Sequence, residues 1–106
     1  MTPVFAPDVQ PSRAVRAVRR IFKYPVELTD SFTIMLPAGA EVLAVQAQND
    51  SPFIWALVVD LARLEPRHFR LCGTGHVIGD GTTRYIGTFQ LHDGAFVGHL
   101  FEVRSA

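Results

Sequence analysis

Apolar positions along this chain fall into short runs, mostly with period two, punctuated by Gly, Pro, Asn and Asp. The densest stretch is residues 41–60, EVLAVQAQNDSPFIWALVVD. Residues 42–47 are mostly small or β-branched, and residues 53–59 are apolar without a break, the pattern of a strand buried on both faces. Between them lies Asn49-Asp50-Ser51-Pro52. Asn and Asp tolerate positive φ and turn chains, and Pro52, which cannot donate to a ladder, suits the start of the second strand. Because side chains alternate, Gln46 and Gln48 share one face of the first strand and Val45 and Ala47 the other. A lone hairpin is marginal in water, so further strands must surround this one.

The flanking segments supply them. Residues 21–28 set Phe22, Tyr24, Val26 and Leu28 against Lys23, Pro25 and Glu27, a half-buried strand that Pro25 assigns to a sheet edge. Residues 32–36 place Phe32, Ile34 and Leu36 on one face, and Gly39 serves the turn that follows. Residues 61–67, LARLEPR, lack a period and read as a connection, with room for one helical turn. Residues 68–74 resume a strand with Phe69 and Leu71 on one face. Gly79-Asp80-Gly81 is a turn signal. Residues 83–91 place Tyr85, Phe89 and Leu91 together, and Asp93-Gly94 joins this run to residues 95–103 as a hairpin. There Val97, His99, Phe101 and Val103 face one way, toward the expected core. About seven closely spaced strands with no strong helix after residue 20 predict an all-β fold, a compact antiparallel sandwich or small barrel.

Composition refines this. With 106 residues, 48% apolar and 19% charged, the chain can build one core without disulfides. The division is an N-terminal arm at residues 1–20, flexible or a short helix, and a single β domain at residues 21–106. In the arm, Ser12 can cap a helix across residues 13–19 that gathers Arg13, Arg16 and Arg19 on one side. The formal net charge is zero, so no general affinity for nucleic acid is expected from charge. The balance is uneven: Arg13, Arg16, Arg19 and Arg20 against Asp8 give the first 20 residues +3, which leaves −3 for the rest. Those four arginines are a candidate partner contact; the plainer alternative is a solvated arm. Cys72 is the single cysteine, which excludes an intrachain disulfide and a multi-cysteine zinc site. The start lacks signal-peptide order and no apolar run approaches the ~20 residues of a membrane span. A soluble, cytoplasmic protein without membrane contact is expected.

Candidate chemistry is sparse. No two of His68, His76, His92 and His99 have a local metal-binding spacing, so neither metal nor cofactor is expected. His99 reads as a core histidine and Cys72 as a small buried residue. Gly73-Thr74-Gly75 lacks the Lys-Ser/Thr ending of a phosphate loop and reads as a bulge or bend. Alternation puts Arg70, Thr74 and His76 on the face opposite Phe69, and Arg84, Thr88, Gln90 and His92 likewise on the next strand. If the two strands pair, Arg70, Thr74, His76, Arg84, Thr88 and Gln90 make a polar face whose arginine forks suit an anionic ligand. An ordinary solvated face is the alternative. No catalytic set is evident.

Several segments together resemble a small domain family of bacterial and bacteriophage genomes without an established activity. They are Lys23-Tyr24-Pro25, residues 36–40 (LPAGA), Val45-Gln46 with Gln48-Asn49, and residues 55–58 (WALV). Further on are Phe69, residues 73–76 (GTGH), residues 85–90 (YIGTFQ) and residues 99–102 (HLFE). The resemblance covers roughly residues 21–103 and implies a compact β domain, often phage-borne; it supplies no catalytic residues. Asp60 is followed by Leu61 where the family pattern has Asp-Pro, which marks that loop as different.

The expected function is therefore non-enzymatic binding by a phage or mobile-element protein. The partner is a host protein or a small anionic molecule such as a nucleotide, and exposed sheet edges favour a homo-oligomer. The alternatives are a small hydrolase or metal-dependent enzyme using His76, and a structural or assembly subunit.

Overall fold

The computed structural model describes residues 18–81 and 83–104. It contains seven strands: β1 (Arg19–Pro25), β2 (Ser31–Pro37), β3 (Glu41–Gln48), β4 (Ser51–Val59), β5 (Leu64–Gly73), β6 (Thr83–Leu91) and β7 (Phe96–Val103). A single 3-10 turn, His92–Gly94, joins the last two. They form two antiparallel sheets, one ordered β1-β4-β3 and the other β2-β5-β7-β6. The expected all-β sandwich is what forms; among the described residues no barrel closes.

The core lies between the sheets and is centred on Leu36, Val42, Ile54, Val58, Phe69 and Leu100, all fully buried. Phe32 stacks on Phe69 with ring centroids 5.4 Å apart. The β3–β4 turn places Asn49 and Asp50 at φ 52° and 62°, the left-handed region that Asn and Asp tolerate best after glycine. Asp50 then ties this turn to the distant 3-10 turn: its carboxylate accepts from His92 N–H and lies 2.8 Å from His92 Nδ1. The sandwich is closed on one side, where β6 crosses close to β3. A Cβ on Gly87 would lie 2.9 Å from Val45 Cγ1, so only glycine allows this approach. The other side is open among the described residues, where β1 pairs with β4 alone and is exposed over most of its length.

Four expectations are corrected. Residues 53–59 are not buried on both faces: Ile54, Ala56 and Val58 point inward, while Phe53, Trp55 and Leu57 are half-buried on the outer surface. Within that outer row Trp55 packs edge-on to Phe53, with centroids 6.2 Å apart. On β7 the phase is inverted. Gly98, Leu100 and Glu102 are buried, and Val97, His99, Phe101 and Val103 form the outer row. The connection read across residues 61–67 is shorter, because β5 begins at Leu64. Finally, β1 starts at Arg19, so Arg19 and Arg20 are strand residues and not part of a helical arm. Arg13 and Arg16, with the rest of residues 1–17, lie outside the described residues.

Pro66 shows how an apparent strand breaker is accommodated. The bonds Leu71 N–H to Asp30 O and Ala38 N–H to Arg63 O make the odd-numbered residues of β5 the ones bonded to β2. Pro66 therefore turns its missing N–H the other way, toward β7. The β5–β7 ladder runs only from Phe69/Glu102 to Gly73/Gly98, so among the described residues Pro66 interrupts no ladder bond.

Candidate functional site

Two regions concentrate polar side chains. The first is a cleft of about 490 Å³ at the end of the sandwich, lined by Arg67, His68, Arg84 and Arg104 among others. It opens where β5 and β7 diverge beyond the Phe69/Glu102 pair. Arg67 crosses this gap. Its guanidinium donates to both oxygens of Glu102, the Nη2–Oε1 bond being 3.1 Å, and through Nη1 to Ala40 O at 2.8 Å. Glu102 is 8% exposed, and a carboxylate in such a place needs paired charge and hydrogen bonds to offset its lost hydration. Arg84 supplies a second cation, with Nη1 3.9 Å from Glu102 Oε1 and Nη2 donating to Val42 O at 3.1 Å. The hydrogen bonds to Glu102 raise the Arg67 pKa further, against the opposing effect of burial. Ala40 and Val42 lie at the start of β3, so the two arginines also clasp one sheet to the other.

Arg84 reaches this cleft because of a β-bulge. The β6–β7 register shifts between Tyr85 and Gly87, with Arg84 opposite Glu102 and Thr88 opposite His99. One extra residue, Ile86, reverses the side-chain phase. Arg84 consequently points between the sheets, whereas Thr88 and Gln90 point outward. The single face expected for Arg70, Thr74, His76, Arg84, Thr88 and Gln90 is thus divided, with Arg84 on the opposite side of the sheet from the rest of that set.

The second region is the outer surface of the four-stranded sheet, beneath the β5–β6 connection. Here His99 bridges two hydroxyls: Nε2 is 2.8 Å from Thr74 Oγ1 and Nδ1 is 2.8 Å from Thr88 Oγ1. Tyr85 Oη extends the chain to Thr88 Oγ1 at 2.5 Å. His99 is therefore an outward, hydrogen-bonded histidine and not a core one. The His76 ring folds back over Gly73, where an added Cβ would come within 2.9 Å of it. Two clefts flank this ring. One of about 240 Å³ adjoins Asp30, Ser31 and Arg70, and one of about 250 Å³ adjoins Thr74, Tyr85, His99 and Phe101. Cys72, buried, lies on the floor of both. Arg70, Thr74 and His76 are thus brought together, with Thr88 reached through His99. Gln90 stands apart, its Oε1 3.2 Å from where a Cβ on Gly94 would be.

Among the described residues no group of three His, Cys, Asp or Glu side chains is arranged to hold a metal. Cys72 makes no hydrogen bond to His76 or His99 among them, so no thiol–imidazole pair is formed. No helix of the described residues is long and apolar enough to cross a membrane. Sequence reasoning missed Arg67, His68, Glu102 and Arg104. Arg67 fell in a stretch without period, and Glu102 carries the residue type least expected on an inner face. The signal that would have found them is the Arg–Glu pairing itself, which needs three-dimensional contacts.

A family model described as a domain of unknown function, DUF7352, matches residues 17–106, a span that includes the segments singled out above. No curated protein and no solved structure matches the chain.

Proposed function

With the chain belonging to the DUF7352 family, we propose that it is a non-enzymatic binding protein that takes up a small anionic ligand of nucleotide size in the end cleft. The observation that carries this reading is the convergence of Arg67, Arg84 and Arg104 on about 490 Å³ of concave space, within the range of small-molecule sites. Glu102 holds Arg67 in place by a two-pronged pair, which leaves Arg84 and Arg104 as the donors for phosphate or carboxylate oxygens. A phage or mobile-element role, sequestering such a ligand from the host, accords with the resemblance noted in the sequence.

Thermal unfolding of the full chain with inorganic phosphate and with nucleoside mono- and triphosphates tests it. A ligand selective for the folded state adds about 2.7 kcal/mol at a hundredfold excess over Kd. The Tm should rise with at least one nucleotide, and the rise should be lost in Arg104→Ala but kept in Arg70→Ala. No rise with any of these anions, or a rise that Arg104→Ala leaves intact, overturns the reading.

A further inference from the structure

The open side of the sandwich carries a second, independent feature. β1 is an edge strand, and the bonding parity along it can be read from its two ends. Asp60 N–H donates to Val18 O, and Val26 N–H donates to Pro52 O. The register between these points is unbroken, from Arg19 opposite Val59 to Pro25 opposite Phe53. Even-numbered residues therefore bond to β4, and the backbone N–H and C=O groups of Arg19, Ile21 and Lys23 point away from the sheet. Among the described residues no strand takes them up. Pro25, which has no N–H, ends this row of donors.

The side chains of β1 are incompletely covered on both faces. Ile21, on the outer face, is 57% exposed, and Phe22, on the inner face, is 41% exposed. The strand carries Arg19, Arg20 and Lys23 and no acidic residue. Its nearest counter-charge is Asp60, whose Oδ2 lies 2.6 Å from Arg20 Nε. Lys23 is folded across the outer face, donating to Gln48 Oε1 at 2.7 Å with its ammonium 4.5 Å from the Phe53 ring centre. Arg19 and Lys23 flank Ile21 on that face.

We infer that the β1 edge is a docking strand for an extended acidic segment of a partner protein, which adds to the sheet beside β1. Main-chain bonds to Arg19, Ile21 and Lys23 would supply affinity, as in strand addition generally. Acidic side chains opposite Arg19 and Lys23, with an apolar one opposite Ile21, would supply specificity. An apolar residue on the other face would cover Phe22. Charge decides among occupants. A second copy pairing through β1 brings Arg19, Arg20 and Lys23 against the same set, and directly opposed like charges are destabilising. An acidic segment reverses that sign.

The test uses the full chain and a capped, fluorescent peptide with glutamate, valine and glutamate at alternate positions and valines between. Fluorescence anisotropy should show it binding at least about tenfold tighter than its lysine counterpart, with affinity falling as salt rises. The double variant Arg19→Glu, Lys23→Glu should reverse the preference. Ile21→Pro, which removes an outward amide and no bond to β4, should abolish binding of both peptides. The Arg19, Ile21 and Lys23 amides should exchange rapidly with solvent in the free protein and become protected with the glutamate peptide. Equal binding of the two peptides, a preference the charge reversal does not invert, or binding unaffected by Ile21→Pro overturns the inference. Protection of those amides before any peptide is added also overturns it, because the edge is then already occupied by the chain's own residues or by a second copy.

Discussion

Glu102 accepts both arms of the Arg67 guanidinium across the gap between β7 and β5. Each group is mostly shielded, with side chains 20% and 11% exposed for Arg67 and Glu102. Removing one member leaves an uncompensated charge. Glu102→Ala is expected to cost about 3 kcal/mol in chemical denaturation, whereas Arg67→Met combined with Glu102→Leu should recover most of that loss. Equal destabilisation by the single and double variants would show that the pair does not act as a unit.

The close side of the sandwich depends on Gly87. Gly87→Ala introduces a Cβ 2.9 Å from Val45 Cγ1, and Val45 is buried and held in β3. The substitution should lower stability by about 1–3 kcal/mol, the cost of overpacking. Val45→Ala in the same background should relieve part of the loss; a double-mutant cycle without coupling energy would refute the contact.

Alkaline stability should depend on Tyr24. Burial raises its phenol pKa above the ordinary 10.0. The folded state then holds the proton more tightly than the unfolded chain. The contribution is fully present below about pH 10 and is lost as pH rises through the folded-state value. Tyr24→Phe should flatten the fall of Tm above that pH and leave the neutral-pH profile unchanged. An identical alkaline slope in the variant would exclude Tyr24 as the cause.

Gly73 keeps His76 in place over the sheet. Gly73→Ala pushes a methyl into a ring 2.9 Å away, and an exposed histidine can swing aside. The expected outcome is a small change in stability with displaced His76 ring resonances in the NMR spectrum. Unmoved His76 resonances would contradict the packing described here.

These contacts explain why the sequence was legible in some places and not in others. The β3–β4 hairpin was readable because Asn49 and Asp50 meet a local steric demand that only a few residue types satisfy. The edge position of β1 was readable from Pro25, and the one-face burial of β2, with Phe32 and Leu36 inward, from strict alternation. β7 was misread because its inner row is Gly98, Leu100 and Glu102, which carries less apolar signal than its outer row. A carboxylate is placed inside only because two arginines from other strands meet it. The site residues were divided for a related reason. Alternation was sound on each side of Ile86, but a bulge adds one residue without a sequence mark, and the phase reverses there. Pro66 suggested an interrupted strand, yet its missing donor faces a gap that β7 has already left.

The solitary attachment of β1 also gives the molecule a mechanical polarity. Among the described residues Arg19–Pro25 is tied to a single neighbour and gives the core only the flanking contact of Tyr24, while Leu36, Ile54, Phe69 and Leu100 are fully buried between the sheets. Tension applied at the N-terminal side has, among the described residues, one ladder to break in order to free β1, that to β4, together with the packing of Tyr24. Tension applied through β7 must instead shear bonds to both β5 and β6 together, so resistance to pulling depends on which end is held.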